Sequence, residues 1–179
     1  MIIGFLFLSV SKSSLALYIH WPFCKIKCPY CDFNSYKRES AYQSHWLKAY
    51  LRALELWSSR LDKREIKSIF FGGGTPSLLD PDFVAMVLQK IDSLWSINGN
   101  CEITIEANPN SISESKFKLF KEIGINRVSV GVQALNNRDL SNLGRDHNKN
   151  QAIEAIEVIN TWFKNYNLDF IYGLSLIHI

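Results

Sequence analysis

The 179-residue chain has no stretch approaching the roughly 18 consecutive apolar residues that a membrane span requires. Its longest early apolar run, from Ile2 to Leu8, is interrupted by Gly4 and is too short. No Lys or Arg precedes that run and no Ala-x-Ala follows it, so a signal peptide is a poor fit and a ragged or mis-called start fits better. Clustered basic charge is missing too: 20 Lys+Arg stand against 17 Asp+Glu without a basic run, which gives no footprint for nucleic acid. No Gly-Lys-Ser/Thr follows the glycine-rich segment, and the G-x-G-x-x-G spacing of dinucleotide folds does not occur there. Cysteine is scarce and uneven. Cys24, Cys28 and Cys31 fall within eight residues and Cys101 stands far off, a pattern unlike the spread pairs of a disulfide framework and suited to a metal or cluster site in a reducing compartment, so a cytoplasmic protein is expected. With 47% apolar and 21% charged residues, the composition is that of a globular domain.

From Leu15 the chain alternates short apolar runs with longer periodic ones. Strands are expected at Leu15–His20, Ile66–Phe71, Glu102–Ala107, Arg127–Val132 and Leu168–Tyr172. Between them lie a helix opened by a Ser40/Gln43 capping box, with Trp46, Tyr50, Leu54 and Trp57 on one side, and one starting at Asp80-Pro81. A third, near Ser115, is closed by Gly124, and a fourth runs from Gln151 to Phe163. Repeated βα units imply right-handed parallel crossovers. The expected fold class is α/β, a partial TIM-like (βα) barrel that stops after about its fifth strand, since a complete barrel needs about 250 residues. Such folds place functional groups at strand C-termini. Here the cysteines follow the first strand, Gly72-Gly73-Gly74-Thr75 the second, Glu106 closes the third and Gln133 follows the fourth.

Three thiolates on one short loop suit a soft metal or an iron–sulfur cluster, and three ligands leave one iron of a four-iron cluster open to a small chelating molecule. The alternative is a zinc site completed by His20. Cys101 reads as a buried thiol and His147 as a surface-loop histidine. The glycines let backbone approach a ligand closely, and a carboxylate at Glu106 can accept two ribose hydroxyls.

The segments from Tyr18 to Phe33 (YIHWPFCKIKCPYCDF), Gly72 to Ser77 (GGGTPS), Glu106 to Pro109 (EANP), Gly131 to Gln133 (GVQ), Gly144 to His147 (GRDH) and Asp169 to Leu174 (DFIYGL) together resemble the radical S-adenosylmethionine (SAM) family. More narrowly, they resemble its branch of oxygen-independent coproporphyrinogen III oxidases and related heme chaperones. The resemblance implies that Cys24, Cys28 and Cys31 ligate a [4Fe-4S] cluster and that Tyr18, Gly73 and Glu106 hold SAM. It further implies a second SAM site at Tyr30, Gly74, Thr75, Gln133, Arg145 and Asp169. In the family chemistry, SAM is cleaved to a 5′-deoxyadenosyl radical, with the protein positioning and shielding the reaction. The oxidases resemble one another in a further cysteine two residues beyond the third ligand, where this chain has Phe33 after Asp32. That difference favours a chaperone that binds heme and delivers it to an acceptor protein; the alternative is an enzyme that decarboxylates coproporphyrinogen III, so whether the chain is an enzyme stays open. The expected organisation is an uncertain extension over residues 1–14, a radical SAM core over 15–174, and a non-native tail over 175–179 with a C-terminal domain missing.

Overall fold

The computed structural model describes residues 5–11, 14–38 and 43–174 of the chain. Residues 175–179, expected to be a non-native tail, and Ser40, the expected capping residue, lie outside them. The first two strands are β1 (Phe5–Ser11) and β2 (Ser14–Trp21), followed by two short ones, β3 (Phe23–Cys24) and β4 (Tyr36–Lys37). Then come α1 (Gln43–Ser58), β5 (Glu65–Gly73), α2 (Pro81–Trp95), β6 (Ile97–Ala107), α3 (Glu114–Glu122), β7 (Arg127–Gln133), α4 (Asn137–Asn142), α5 (Lys149–Trp162) and β8 (Asn165–Phe170).

The main sheet has the order β1-β2-β5-β6-β7-β8, and every pairing from β2 onward is parallel. Each crossover carries a helix, which is how parallel neighbours must be joined. The result is an arc of a βα barrel. The apolar residues that face the helices are fully buried: Leu17, Ile19, Ile69, Phe71, Ile105, Val128, Val130 and Val132 meet Leu54, Val84, Val87, Ile91, Phe117, Phe120 and Ile159. The other face of the arc carries polar residues from β6, β7 and β8: Thr104, Arg127, Ser129, Asn167 and Asp169 bond to one another, and Glu106 lies among them, bonded to the Gly73 N–H.

Three elements depart from the expectation. Part of the uncertain extension is β1, which runs antiparallel to β2 with Phe5 opposite Ile19 and Ser11 opposite Ser14. The last strand begins three residues before the expected Leu168 and ends before Tyr172, which is 96% exposed. Asn165 and Asn167 are weak strand formers, yet they pair with Arg127 and Ser129, and tertiary partners override the propensity. A short helix, α4, follows β7; Asn136 caps it by accepting from the Asp139 N–H at 2.8 Å. The expected helix boundaries otherwise hold closely. Pro81 opens α2, Gly124 at φ +108 ends α3, and α5 starts at a capping box of Asn148 and Gln151.

Candidate cluster and nucleotide site

At its C-terminal end β2 continues through Pro22 into β3, which brings Cys24 up beside the glycine segment. Aromatic packing fixes that approach. Trp21, Phe23, Trp46, Tyr50 and Phe83 form an edge-to-face cluster with centroids 5.1–5.9 Å apart for Trp21–Phe23, Phe23–Trp46, Trp21–Phe83 and Tyr50–Phe83. Pairs of this kind are each worth about 1 kcal/mol beyond the area they bury. The Tyr50 hydroxyl donates to the His20 carbonyl from the same cluster.

The loop from Lys25 to Ser35 is folded back by its own polar groups. The Cys31 N–H donates to the Cys28 carbonyl at 3.1 Å. Lys27 Nζ donates to the carbonyls of Phe33 and Ser35 at 2.7 and 3.0 Å. Tyr36 pairs with Phe23 and Lys37 with Cys24, so the loop leaves and returns beside the same strand.

The glycine segment is shaped by two close approaches. A Cβ at Gly74 would stand 2.6–2.8 Å from the Phe23 backbone, and in its absence the Gly74 and Thr75 N–H groups donate to the carbonyls of Trp21 and Phe23 at 2.6 and 2.9 Å. Gly73 sits at φ +113, where an L side chain is strained, and its N–H donates to Glu106 Oε2 at 2.9 Å. Burial, opposed by that hydrogen bond and assisted by the Asp169 charge, lifts the Glu106 carboxyl from its ordinary 4.5 to about 7.

One cavity of about 500 Å³ opens over these strand ends. Cys24, Cys28 and Cys31 line it together with Tyr30, Gly74, Thr75, Glu106, Gln133, Arg145 and Asp169. Tyr18 and Gly73 lie outside its wall. Tyr18 stands beside it, its hydroxyl donating to His20 Nδ1 at 3.3 Å, and burial raises that phenol to about 12. Gln133 holds the left-handed conformation at φ +67, uncommon for a residue with a side chain, at the point where β7 ends. Asp169 is oriented by Ser129 Oγ at 3.1 Å and Asn167 Nδ2 at 2.7 Å. Arg145 donates to Cys28 Sγ at 3.4 Å, Tyr30 Oη at 3.1 Å, Asn108 Oδ1 at 3.0 Å and the Gly131 carbonyl at 2.8 Å.

Two sequence expectations change here. His147 is no surface-loop residue: it is 5% exposed, and its Nε2 donates to the Val132 carbonyl at 3.1 Å. The sequence shows a polar neighbourhood, whereas the fold turns the imidazole inward under β7. His20 is a poor fourth metal ligand, because its Nε2 donates to the Asn34 carbonyl at 2.8 Å while Nδ1 accepts from Tyr18. Both ring nitrogens are engaged. Cys101 is a buried thiol as expected, raised to about 11 chiefly by burial. Asn108, Ser129 and Gly131 also line the cavity. Asn108 belongs to the Glu106–Pro109 segment, and its place just past a strand end is the sequence signal that points to it.

The donor chemistry fits an iron–sulfur group: three free thiols face one cavity beside strand ends that leave backbone close and unobstructed. Among the described residues no three of the His, Cys, Asp and Glu side chains already stand together at metal-binding spacing.

A parallel βα arc with three such cysteines at one strand end defines a class, and the family comparison names it: the Radical SAM superfamily matches residues 18–175, and the chain belongs to it. Proteins of this family bind a [4Fe-4S] cluster and SAM. The chain is 44% identical over 161 residues to the heme chaperone HemW of Buchnera aphidicola subsp. Schizaphis graminum, covering 89% of this chain and 43% of that protein. It is 36% identical to HemW of Escherichia coli K12, over 92% of this chain and 44% of the relative. Coproporphyrinogen III oxidase (HemN) from Escherichia coli, described as a radical SAM enzyme, superposes with a TM-score of 0.77 at 26% identity, over 93% of this chain and 39% of that one. The chain thus spans about two fifths of the length of these relatives. Among the described residues no helix is long and apolar enough to cross a membrane.

Proposed function

We propose that this chain carries the radical SAM core of a heme chaperone, a protein that binds heme and passes it to an acceptor protein. The observation that carries the reading is the 44% identity to a HemW heme chaperone across 89% of the chain. The residue after Asp32 supports it. Phe33, where the oxidases carry a further cysteine, is 60% exposed at the cavity rim and offers an apolar ring in place of a thiol.

In this reading Cys24, Cys28 and Cys31 hold the cluster. Tyr18, Gly73 and Glu106 hold SAM, and Tyr30, Gly74, Thr75, Gln133, Arg145 and Asp169 line the adjoining subsite. Bound together, the cluster and SAM supply one-electron chemistry. The chain's own residues do the rest. Glu106 offers two acceptor oxygens at a strand end, Gly73 fixes one of them, and the aromatic cluster beneath Cys24 keeps water from that side. Arg145 brings a guanidinium into the cavity and places a positive charge beside the loop.

The superposition on coproporphyrinogen III oxidase supports a second reading, oxidative decarboxylation of a porphyrinogen. The full-length protein, reconstituted anaerobically with iron and sulfide and given reductant and SAM, separates them. Stable heme retention without loss of propionate carboxylates is expected; decarboxylation of coproporphyrinogen III without heme retention would overturn the chaperone reading.

A further inference from the structure

Four consecutive residues following α4 engage the cysteine loop, the segment after β6 and the end of β7. Gly144 lies at φ +65, and a Cβ there would stand 2.7 Å from Pro29 Cδ and 3.2 Å from Pro29 Cγ, inside the cysteine loop. Arg145 reaches Cys28 and Tyr30 on either side of that proline. Asp146 Oδ1 accepts from Asn108 Nδ2 at 3.0 Å, and its Oδ2 accepts from Asn110. His147 is tied to β7 through Val132.

Asn108 is the hinge of this arrangement. Its amide nitrogen donates to Asp146 while its amide oxygen accepts from Arg145, so the carboxylate dictates which way the amide faces and the amide dictates where the guanidinium sits. A chain of polar contacts therefore runs from Asp146 through Asn108 and Arg145 to Cys28 and Tyr30. Neither Gly144 nor Asp146 lines the cavity.

We propose that the Gly144–His147 segment is a bracket that clamps the cysteine loop against the ends of β6 and β7, which makes Gly144 and Asp146 positioning residues for retention of the cluster. The proposal rests on reading Cys24, Cys28 and Cys31 as the ligands. Gly144 gives the loop a surface on which Pro29 can lie flat, and Asp146 sets the donor that pins Cys28 and Tyr30. Loosening either lets the Cys28 end of the loop swing away from its two partners, and a cluster held by three sulfurs is released when one of them leaves.

The test uses the full-length protein reconstituted anaerobically with iron and sulfide. It reads iron and acid-labile sulfide per chain, the visible absorbance of the bound cluster, and the rate of iron loss to a chelator. Asp146→Ala is expected to lose iron about tenfold faster than the parent protein, the factor that one hydrogen bond to a charged group is worth, with far-ultraviolet circular dichroism unchanged. Asp146→Asn keeps one acceptor oxygen and should fall between the two. Gly144→Ala should lose iron faster as well, and Pro29→Ala added to it removes the ring atoms that clash and should recover part of that rate, the strain of a side chain at φ +65 remaining. Parental rates in Asp146→Ala and Gly144→Ala, or no recovery in the double variant, would overturn the bracket. A Cys28→Ala protein that keeps a full cluster would instead overturn the ligand assignment beneath it.

Discussion

If Glu106 holds SAM as proposed, its setting makes SAM binding depend on pH. Its carboxyl titrates near 7 because burial and the Asp169 charge outweigh the hydrogen bond from Gly73. Only the ionised carboxylate offers two acceptor oxygens to two hydroxyl donors, since the neutral acid turns one oxygen into a donor. With a pKa of about 7, roughly one tenth of the groups are ionised at pH 6 and roughly nine tenths at pH 8, so the apparent Kd for SAM should rise about tenfold between pH 8 and pH 6, or about 1.4 kcal/mol. The assay is calorimetric titration of the reconstituted full-length protein with SAM at both pH values. In Glu106→Gln the affinity should be weaker at pH 8 and its slope across this range should vanish. The same shift has a sign for folding. An acid whose folded value is raised binds more protons folded than unfolded, so its contribution is fully present below about pH 4.5 and is lost as pH rises through about 7. Two and a half pH units correspond to about 3 kcal/mol at most, and Glu106→Gln should recover part of it at pH 8. A wild-type Kd for SAM that is flat from pH 6 to 8, or a pH slope that survives in Glu106→Gln, would refute the assignment of Glu106 as the ionised acceptor.

Gly74→Ala puts a methyl 2.6 Å from the Phe23 carbonyl oxygen, and backbone cannot step aside as a side chain can. It should cost about 3 kcal/mol in chemical denaturation and lower iron content with it, because Cys24 is the next residue along that strand. Cys28→Ala should abolish stable cluster loading, measured as iron and acid-labile sulfide per chain, whereas Cys101→Ala should leave loading intact and cost about 1 kcal/mol for a trimmed buried side chain. Tyr50→Phe removes the donor to the His20 carbonyl and should lower unfolding free energy by about 1 kcal/mol with the aromatic packing preserved.

The strand ends were legible because each carries a local signature. The alternation in Leu15–His20 and Arg127–Val132, the glycine run after Phe71 and the cysteine spacing are written within a few residues of one another, and periodicity reads such spans directly. What stayed hidden depends on distance along the chain. Asn165 and Asn167 look like loop residues until Arg127 and Ser129, some 38 positions earlier, supply their partners across the sheet. His147 looks like a solvated neighbour of Arg145 and Asp146 until the turn after α4 rolls it beneath Val132. Gly144 stands out only as part of the Gly144–His147 segment, and only the fold shows that it lies at φ +65 after a short helix with Pro29, 115 positions away, where its side chain would be. A barrel built from successive βα units keeps each strand's ligand-facing end local in sequence but assembles the cavity by juxtaposing those ends. Single contributions to the site are therefore readable one at a time, while the contacts that set their relative positions, such as Asp146 to Asn108 and Gly144 to Pro29, exist only in the closed arc.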